Sequence, residues 1–432
     1  MHRLKRKNFL LSLALISAAF CFQSLSNTQE KTPVKDLKDY IEAASKSYQT
    51  KDYPGLVENI KIALTLRPTH QTYMYYLVKG YALTGKKAEA LQLLSDAVNM
   101  GLVYRAAQDK DLDSIKDDPE FKTILAKIEN NKAHIGTSEL GFTVHEKAFI
   151  GEGVDYDPVD EAFYVSSVYK RKIVKIDKKG TATDFAANQD ELWSALGIKI
   201  DAKRRWLWVA TSAHSRMVNF NKEDDGRTAV LKYDLKTGKL IKRYDLSNKP
   251  KHHLFGDLTI NSRGDVYVTD SIAPEIYVIH LDKDQLELFL ESDDFVSPQG
   301  IAFSEDGNRL FMADYSKGIF VIDTNTKKFV NIPAAPKTTM LGIDGIYFYK
   351  GSLIASQNGV NPVRIVRIYL NKDFSAVDKF EVVEANNTLF GEPTLGAIVK
   401  DTFYYNANSL WDDSNGQPPP MDKDHTILKV RL

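Results

Sequence analysis

Residues 255–271 read FGDLTINSRGDVYVTDS: an alternating strand, a short polar turn, and a second strand that ends on two polar residues. Apolar and polar residues alternate on both sides of the turn, which is the period-two pattern of a β-hairpin. Similar hairpins recur as GVDYDPVDEAFYVSS from Gly153, GIKIDAKRRWLWVATS from Gly197, GIAFSEDGNRLFMADY from Gly300 and GIYFYKGSLIASQN from Gly345. With Gly396, five glycines and Leu258 open six hairpins, spaced by roughly 42 to 61 residues. That spacing is the size of a four-stranded propeller blade. Each of the first five hairpins is followed by a third strand (RKIVKID, TAVLKYDL, EIYVIHL, GIFVID, RIVRIYL) and mostly by a fourth. The last unit ends with TILKVRL as its third strand, and GFTVHEKAFI, ahead of Gly153, can supply its missing fourth. Residues 140–432 are therefore expected to form an all-β six-bladed β-propeller closed between chain ends.

Residues 33–133 carry a helical pattern instead. Tyr40, Ala44, Ser47, Leu56, Ile60 and Ala63 recur 34 residues later as Met74, Val78, Tyr81, Ala90, Leu94 and Ala97. This period, with alanines where helices must approach, resembles the tetratricopeptide family. A small all-α tetratricopeptide-like domain is thus expected before the propeller, with its surface open to a protein partner. The first 26 residues place Arg3, Lys5, Arg6 and Lys7 ahead of an apolar run from Phe9 to Phe22, then Ser24 and Ser26. That is the layout of a cleaved signal peptide. The run is shorter than the roughly 20 residues a spanning helix needs, so no membrane span is expected after cleavage. The chain is expected to be exported, periplasmic or secreted. Cys21, the one cysteine, lies inside the signal, so the mature chain has no disulfide. Lys+Arg and Asp+Glu balance at 57 each, without the basic surplus that nucleic-acid binding uses.

In a propeller the innermost strand of each blade lines the central channel, and its start lies at one rim. The residues just before the strand-opening position are Glu152, Leu196, Asp257, Gln299, Asp344 and Leu395. Four of these six are acids or amides, the oxygen donors that a hard cation such as calcium takes. The second strands end at the same rim, which makes Asp270, Asp314, Asn358 and Asn408 candidates to contact a small-molecule ligand. Asp and Asn at such ends also bond turn amides and tie blades together. Glu392, in FGEPTLG, offers a further carboxylate at the start of blade six. His252 and His253 precede the first strand of blade three, where either could be a surface or capping group; His253 is the candidate proton carrier. The run HSRMVNFNKEDDGR (214–227) reads as an insert, a solvated loop or a cover for the channel mouth.

The segments GEGVDYDP, SPQGIAFSEDGNRLFMADY and IDGIYFYKGSLIASQNG resemble the senescence-marker-protein/gluconolactonase (regucalcin-like) propellers over roughly residues 145–432. The resemblance implies one divalent ion at the rim, held by a Glu, two Asn and an Asp. Glu152 and Asp344 match two of these, and the Asp is also the family's general base. Two positions depart: Gln299 stands for one Asn, and Gly256 stands for the Asn of an Asn-Asp pair, leaving Asp257. The chain is also similar to exported bacterial proteins that join a tetratricopeptide-like segment to this propeller, sharing HxxxGDL (His252 to Leu258), SPQG, QNG and EPTLG. That likeness implies no established reaction. The resulting expectation is a divalent-metal-dependent, calcium-using hydrolase of a lactone or ester. Glu152, Asp257, Gln299 and Asp344 would be the metal shell, with Asp344 and His253 moving protons. The alternative is a non-catalytic propeller that binds a ligand or a protein.

Overall fold

The structure, a computed structural model, describes residues 36–187, 192–246, 252–409, 411 and 422–432. The expected signal segment, residues 1–26, lies outside the described residues. Six antiparallel sheets of four strands follow one another along the chain. Blade three contains the opening hairpin as Phe255–Ile260 and Val266–Asp270, followed by Glu275–His280 and Gln285–Glu291. Blades one, two, four and five open on Gly151–Asp157, Ser194–Asp201, Pro298–Phe303 and Ile343–Tyr349. Blade six joins Gly396–Val399, Thr402–Asn406 and His425–Arg431 to Glu139–Val144, which precedes blade one in the chain. The closing pairs include Leu140 opposite Leu428 and Val144 opposite His425. The closing strand ends at Val144, so the rest of the expected GFTVHEKAFI strand leads into blade one instead.

Both faces of a blade are covered by its neighbours, so apolar residues collect between blades. Phe311 and Leu353 belong to a buried cluster joining blades four and five. Trp208 and Leu258 join blades two and three, and Val144, Val154 and Ile427 join blade six to blade one. Burying each such side chain contributes about 1.5–3 kcal/mol.

The inner strands share one irregularity. Pairing of the first two strands slips between Gly151 and Val154, Ala195 and Ile198, Phe255 and Leu258, Pro298 and Ile301, and Ile343 and Ile346. The slipped residues include Glu152, Leu196, Asp257, Gln299 and Asp344. A bulge of this kind bends the strand and re-aims its side chains. Glycine follows at four of these places because neighbouring inner strands nearly touch. A Cβ on Gly197 would lie 2.7 Å from the Cα of Asp257, and one on Gly300 would lie 2.5 Å from the amide nitrogen of Ile346.

Among the described residues five α-helices precede the propeller: α1 (Leu37–Gln49), α2 (Tyr53–Leu66), α3 (Gln71–Leu83), α4 (Lys87–Asn99) and α5 (Pro119–Asn131). Each packs on the next along the chain from α1 to α5, and Ala44, Ala63, Ala90 and Ala97 are buried where they meet. Asp36 and Asp39 form a capping box at the start of α1, and Asp118 caps α5, each satisfying amides that the helix leaves unpaired. Among the described residues no helix is long and apolar enough to cross a membrane.

Two substitutions test this construction by urea denaturation. Gly300→Ala, which forces a carbon between two backbones, is expected to destabilise by the upper end of about 1–3 kcal/mol. Ile427→Ala, in the closing blade, is expected to cost about 2–5 kcal/mol. A Gly300→Ala protein as stable as wild type would mean that the inner strands can separate freely.

Candidate functional site

The bulges deliver polar side chains to one cavity of about 340 Å³ at the channel rim. Its walls include Glu152, Gln299, Asp344, Asn358 and Glu392, with Tyr315, Trp411 and Leu196 as apolar surface. Asp344 accepts a hydrogen bond at Oδ2 from Nδ2 of Asn358, at 2.8 Å, and Oδ1 of Asn358 accepts one from the Tyr315 hydroxyl, at 3.0 Å. Trp411 bridges two other acids. Its indole N–H donates to Oε2 of Glu152 at 2.6 Å, and its backbone N–H donates to Oε2 of Glu392 at 3.0 Å. The indole also stacks on His214, with ring centres 5.3 Å apart. Burial pushes the His214 imidazole down to about 4, so the ring is neutral at physiological pH. The insert 214–227, expected as a solvated loop or a cover, is anchored at its start, where Met217 is buried with Trp193 and Val218 donates to the carbonyl of Tyr169, and is exposed at Asn221, Lys222, Glu223, Asp225 and Arg227.

Gln299 is held on both sides. Its Oε1 accepts from the Ser271 hydroxyl at 3.1 Å, and its Nε2 donates to Oγ of Ser297 at 3.1 Å. The Ser271 hydroxyl occupies the space that a Cβ on Gly256 would need. The donor absent at Gly256 is thus matched by a serine from the second strand of the same blade. Asp257 is buried, its Oδ1 accepting from Leu258 N–H at 2.8 Å while its Oδ2 has no hydrogen-bond partner.

The acids disfavour one another's charge. Burial, then the Glu392 carboxylate, pushes Asp344 up to about 7 against the ordinary 3.8. Burial pushes Asp257 up to about 6, although Lys199 opposes the shift. Glu152 is raised well above the usual range by burial and by Asp344, and Glu392 is raised by burial. Among the described residues no lysine or arginine lines the cavity. The arrangement favours the protonated carboxyls, and it disfavours anions.

Other expected site residues do different work. Asp270 accepts at Oδ1 from the amides of Leu254, Ile272 and Ala273. Asp314 likewise accepts from Val296, Ser297 and Ser316. Asn408 accepts from the amide of Thr426 and donates to the carbonyl of Asp424. All three tie loops rather than face the cavity. His253 is enclosed, with Nδ1 2.6 Å from Oδ2 of Asp270 and 3.8 Å from Oε2 of Glu275; it is not on the cavity wall. These three are the trio among the described residues whose potential ligand atoms lie within 4.8 Å of one another; the rim acids are set further apart. The neighbours Ser271 and Tyr315 line the cavity in place of Asp270 and Asp314. The cause is strand alternation: Asp270 and Asp314 pair with Phe255 and Pro298, so the next residue turns to the other side. Trp411 ends the NANSxW-like segment (Asn406 to Trp411) that the sequence shares with similar exported propellers, but that motif gave no role, because Trp411 reaches the acids of blades one and six from outside the strands.

Residues 193–332, under half of the chain, match the Major royal jelly protein family. They span blades two to four. None of the curated proteins matches the chain. Similar solved structures include a luciferin-regenerating enzyme, 14% identical, covering 68% of this chain and 96% of its own, with a TM-score of 0.50. A gluconolactonase from Xanthomonas campestris is 13% identical, with 69% and 92% covered and a TM-score of 0.49. A PQQ-bound aldose sugar dehydrogenase from Streptomyces coelicolor is 16% identical, with 68% and 98% covered and a TM-score of 0.47. At these identities the likeness is one of fold.

The raised carboxyls set a sign for pH dependence. A folded-state value above the unfolded one stabilises fully below the unfolded value and is lost as pH rises through the folded one. For Asp344 that window runs from 3.8 to about 7. In chelator-treated protein, Asp344→Asn is therefore expected to melt near the wild-type temperature at pH 4 and above it at pH 8. An equal or lower melting temperature at pH 8 would show that Asp344 is not held against its charge.

Proposed function

We propose that the rim cavity binds one divalent cation, calcium by donor type, and hydrolyses a lactone or related ester. The observation that carries this reading is the convergence of Glu152, Asp344 and Glu392 on one small cavity whose described walls offer no cationic side chain, with the charge of Asp257, buried behind the wall, felt by Glu152 and Asp344. The donor set fits a hard cation: every candidate atom is a carboxylate or amide oxygen, and Oδ2 of Asp257 is buried without a partner. Glu152, Asp257, Gln299 and Asp344 would hold the ion, and the separation of the acids leaves part of its shell to water and substrate. A bound divalent cation supplies Lewis acidity toward a carbonyl oxygen and lowers the pKa of water.

The chain's own residues supply the rest. Asp344, poised near neutrality, suits a general base, since proton transfer is most effective when the group's pKa lies near the working pH. Asn358 and Tyr315 fix the orientation of its carboxyl through the chain of hydrogen bonds from hydroxyl to amide to carboxylate. Leu196, Leu254, Ile272 and the Trp411 ring give the cavity apolar wall against which a compact, uncharged ring can pack while water is excluded. The absence of a lysine or arginine there argues against a phosphorylated or carboxylate substrate.

A second reading, a propeller that binds a ligand without turning it over, is favoured by Gly256. That position offers no donor where the resembling enzymes have an asparagine, and the Ser271 hydroxyl fills the space. Calorimetric titration with calcium separates the two. Wild type should bind one equivalent and Asp344→Ala should not; absence of binding to wild type would end the metal reading. A lactone and aryl-ester panel should then show turnover that a chelator abolishes. Asp344→Asn should lower kcat by about a hundredfold or more.

A further inference from the structure

The segments that present Asp344 and Asn358 to the cavity are also those gripped by the helical region. Asn358 follows the second strand of blade five (Ser352–Gln357) in a short loop that returns to Arg364. Two residues beyond Asn358, Val360 is buried in an apolar cluster with Met74 of α3, Ala97 of α4 and Leu102 just past it. Asn361 is bound from both sides: its amide donates to Oε1 of Gln71 at 2.8 Å, its Nδ2 donates to the Val103 carbonyl, and its carbonyl accepts from the Val103 amide at 2.8 Å.

Arg364 closes the same loop from behind. It is buried, and its Nη1 donates to the Met100 carbonyl after α4, while its Nε donates to Oε1 of Gln357. A buried guanidinium is costly to hold; here Nε and Nη1 find partners on opposite sides of the interface while Nη2 is buried without one. The approach to Asp344 is held as well. Nε2 of Gln357 donates to the carbonyls of Thr339 and Leu341, and Thr339 meets the Thr69 hydroxyl, between α2 and α3, at 3.1 Å. The two loops are joined to each other where Gly359 N–H donates to the Gly342 carbonyl at 3.0 Å.

We infer that the helical region is a brace for the rim site: by clamping the 358–364 loop and the 339–342 approach, it positions Asn358 and, through it, Asp344 and Tyr315. Val360, Asn361 and Arg364 are positioning residues, and none of them lines the cavity. A partner bound to the helices would be coupled to the rim through this clamp, since whatever loosens or tightens the docking changes how firmly the Asn358 amide is held.

The test uses the full chain with three variants of graded severity: Val360→Asp and Asn361→Ala on the propeller side, and Gln71→Ala on the helical side. Hydrogen exchange is followed over 339–345 and 356–363, with blade-two peptides as an internal reference, and terbium luminescence titration reports cation affinity at the rim. Faster exchange in both rim segments is expected, with blade two unchanged and terbium affinity lowered at least about fivefold in Val360→Asp. Unchanged exchange at 339–345, with the Val103 amide exposed, would overturn the inference, because the helices would then dock without positioning anything. The terbium arm rests on the cation reading above. Wild type that binds no terbium would sink that reading, and the exchange data alone would then decide the brace.

Discussion

The structure depends on how closely six inner strands can approach one another around a channel. Backbones at Gly197 and Asp257, and at Gly300 and Ile346, come so near that no side chain fits between them. Other junctions are fixed by hydrogen bonds across blades. Ser166 donates to the Leu196 carbonyl at 2.6 Å, Thr269 to the Gln299 carbonyl at 2.6 Å, and Asn406 to the Glu152 carbonyl at 2.6 Å. Each accepting carbonyl belongs to the residue just before an opening glycine, or to its neighbour in the bulge. Closing the ring, holding the bulge and aiming the rim side chain thus coincide at the bulged inner strands of blades one to five, and the pairing of Glu139–Val144 with His425–Arg431 completes the circle.

That geometry makes the rim electrostatically expensive. Four acids are brought into a half-dry space in which each opposes the charge of the others, and Lys199 relieves only Asp257. Apolar residues at the same positions would fold with less cost, so the acids are not explained by stability. Contrast charges elsewhere in the same propeller, where Arg205 meets the buried Asp157 at 2.6 Å and Lys172 meets Asp184 at 2.6 Å; there opposite charges are paired.

Much of the fold was legible because its two signals are local and repeated. Period-two alternation and glycine spacing located all six hairpins, and the incomplete last blade pointed to a strand from the front of the chain. The rim positions Glu152, Gln299 and Asp344 were legible for the same reason, since each stands one residue before a marker. Asp270 and Asp314 were misread by one residue. A strand's last residue and the next point to opposite sides, and only the registered pairing says which of them meets the channel. His253 was misread because proximity in sequence to a rim strand does not give direction: its ring turns inward to Asp270.

The sequence by itself determined the number of blades, the order of the strands, the closure between chain ends and the oxygen character of the rim, all of which follow from short-range periodicity. Tertiary structure alone decided which polar groups converge. Trp411 joins Glu152 and Glu392 across a long separation in the chain, Ser271 fills the place left by Gly256, and the helical loops grip the segment behind Asn358. Whether they lie within one hairpin, as Gly256 and Ser271 do, or far apart along the chain, these contacts depend on ring curvature and bulge direction, quantities that no local pattern encodes.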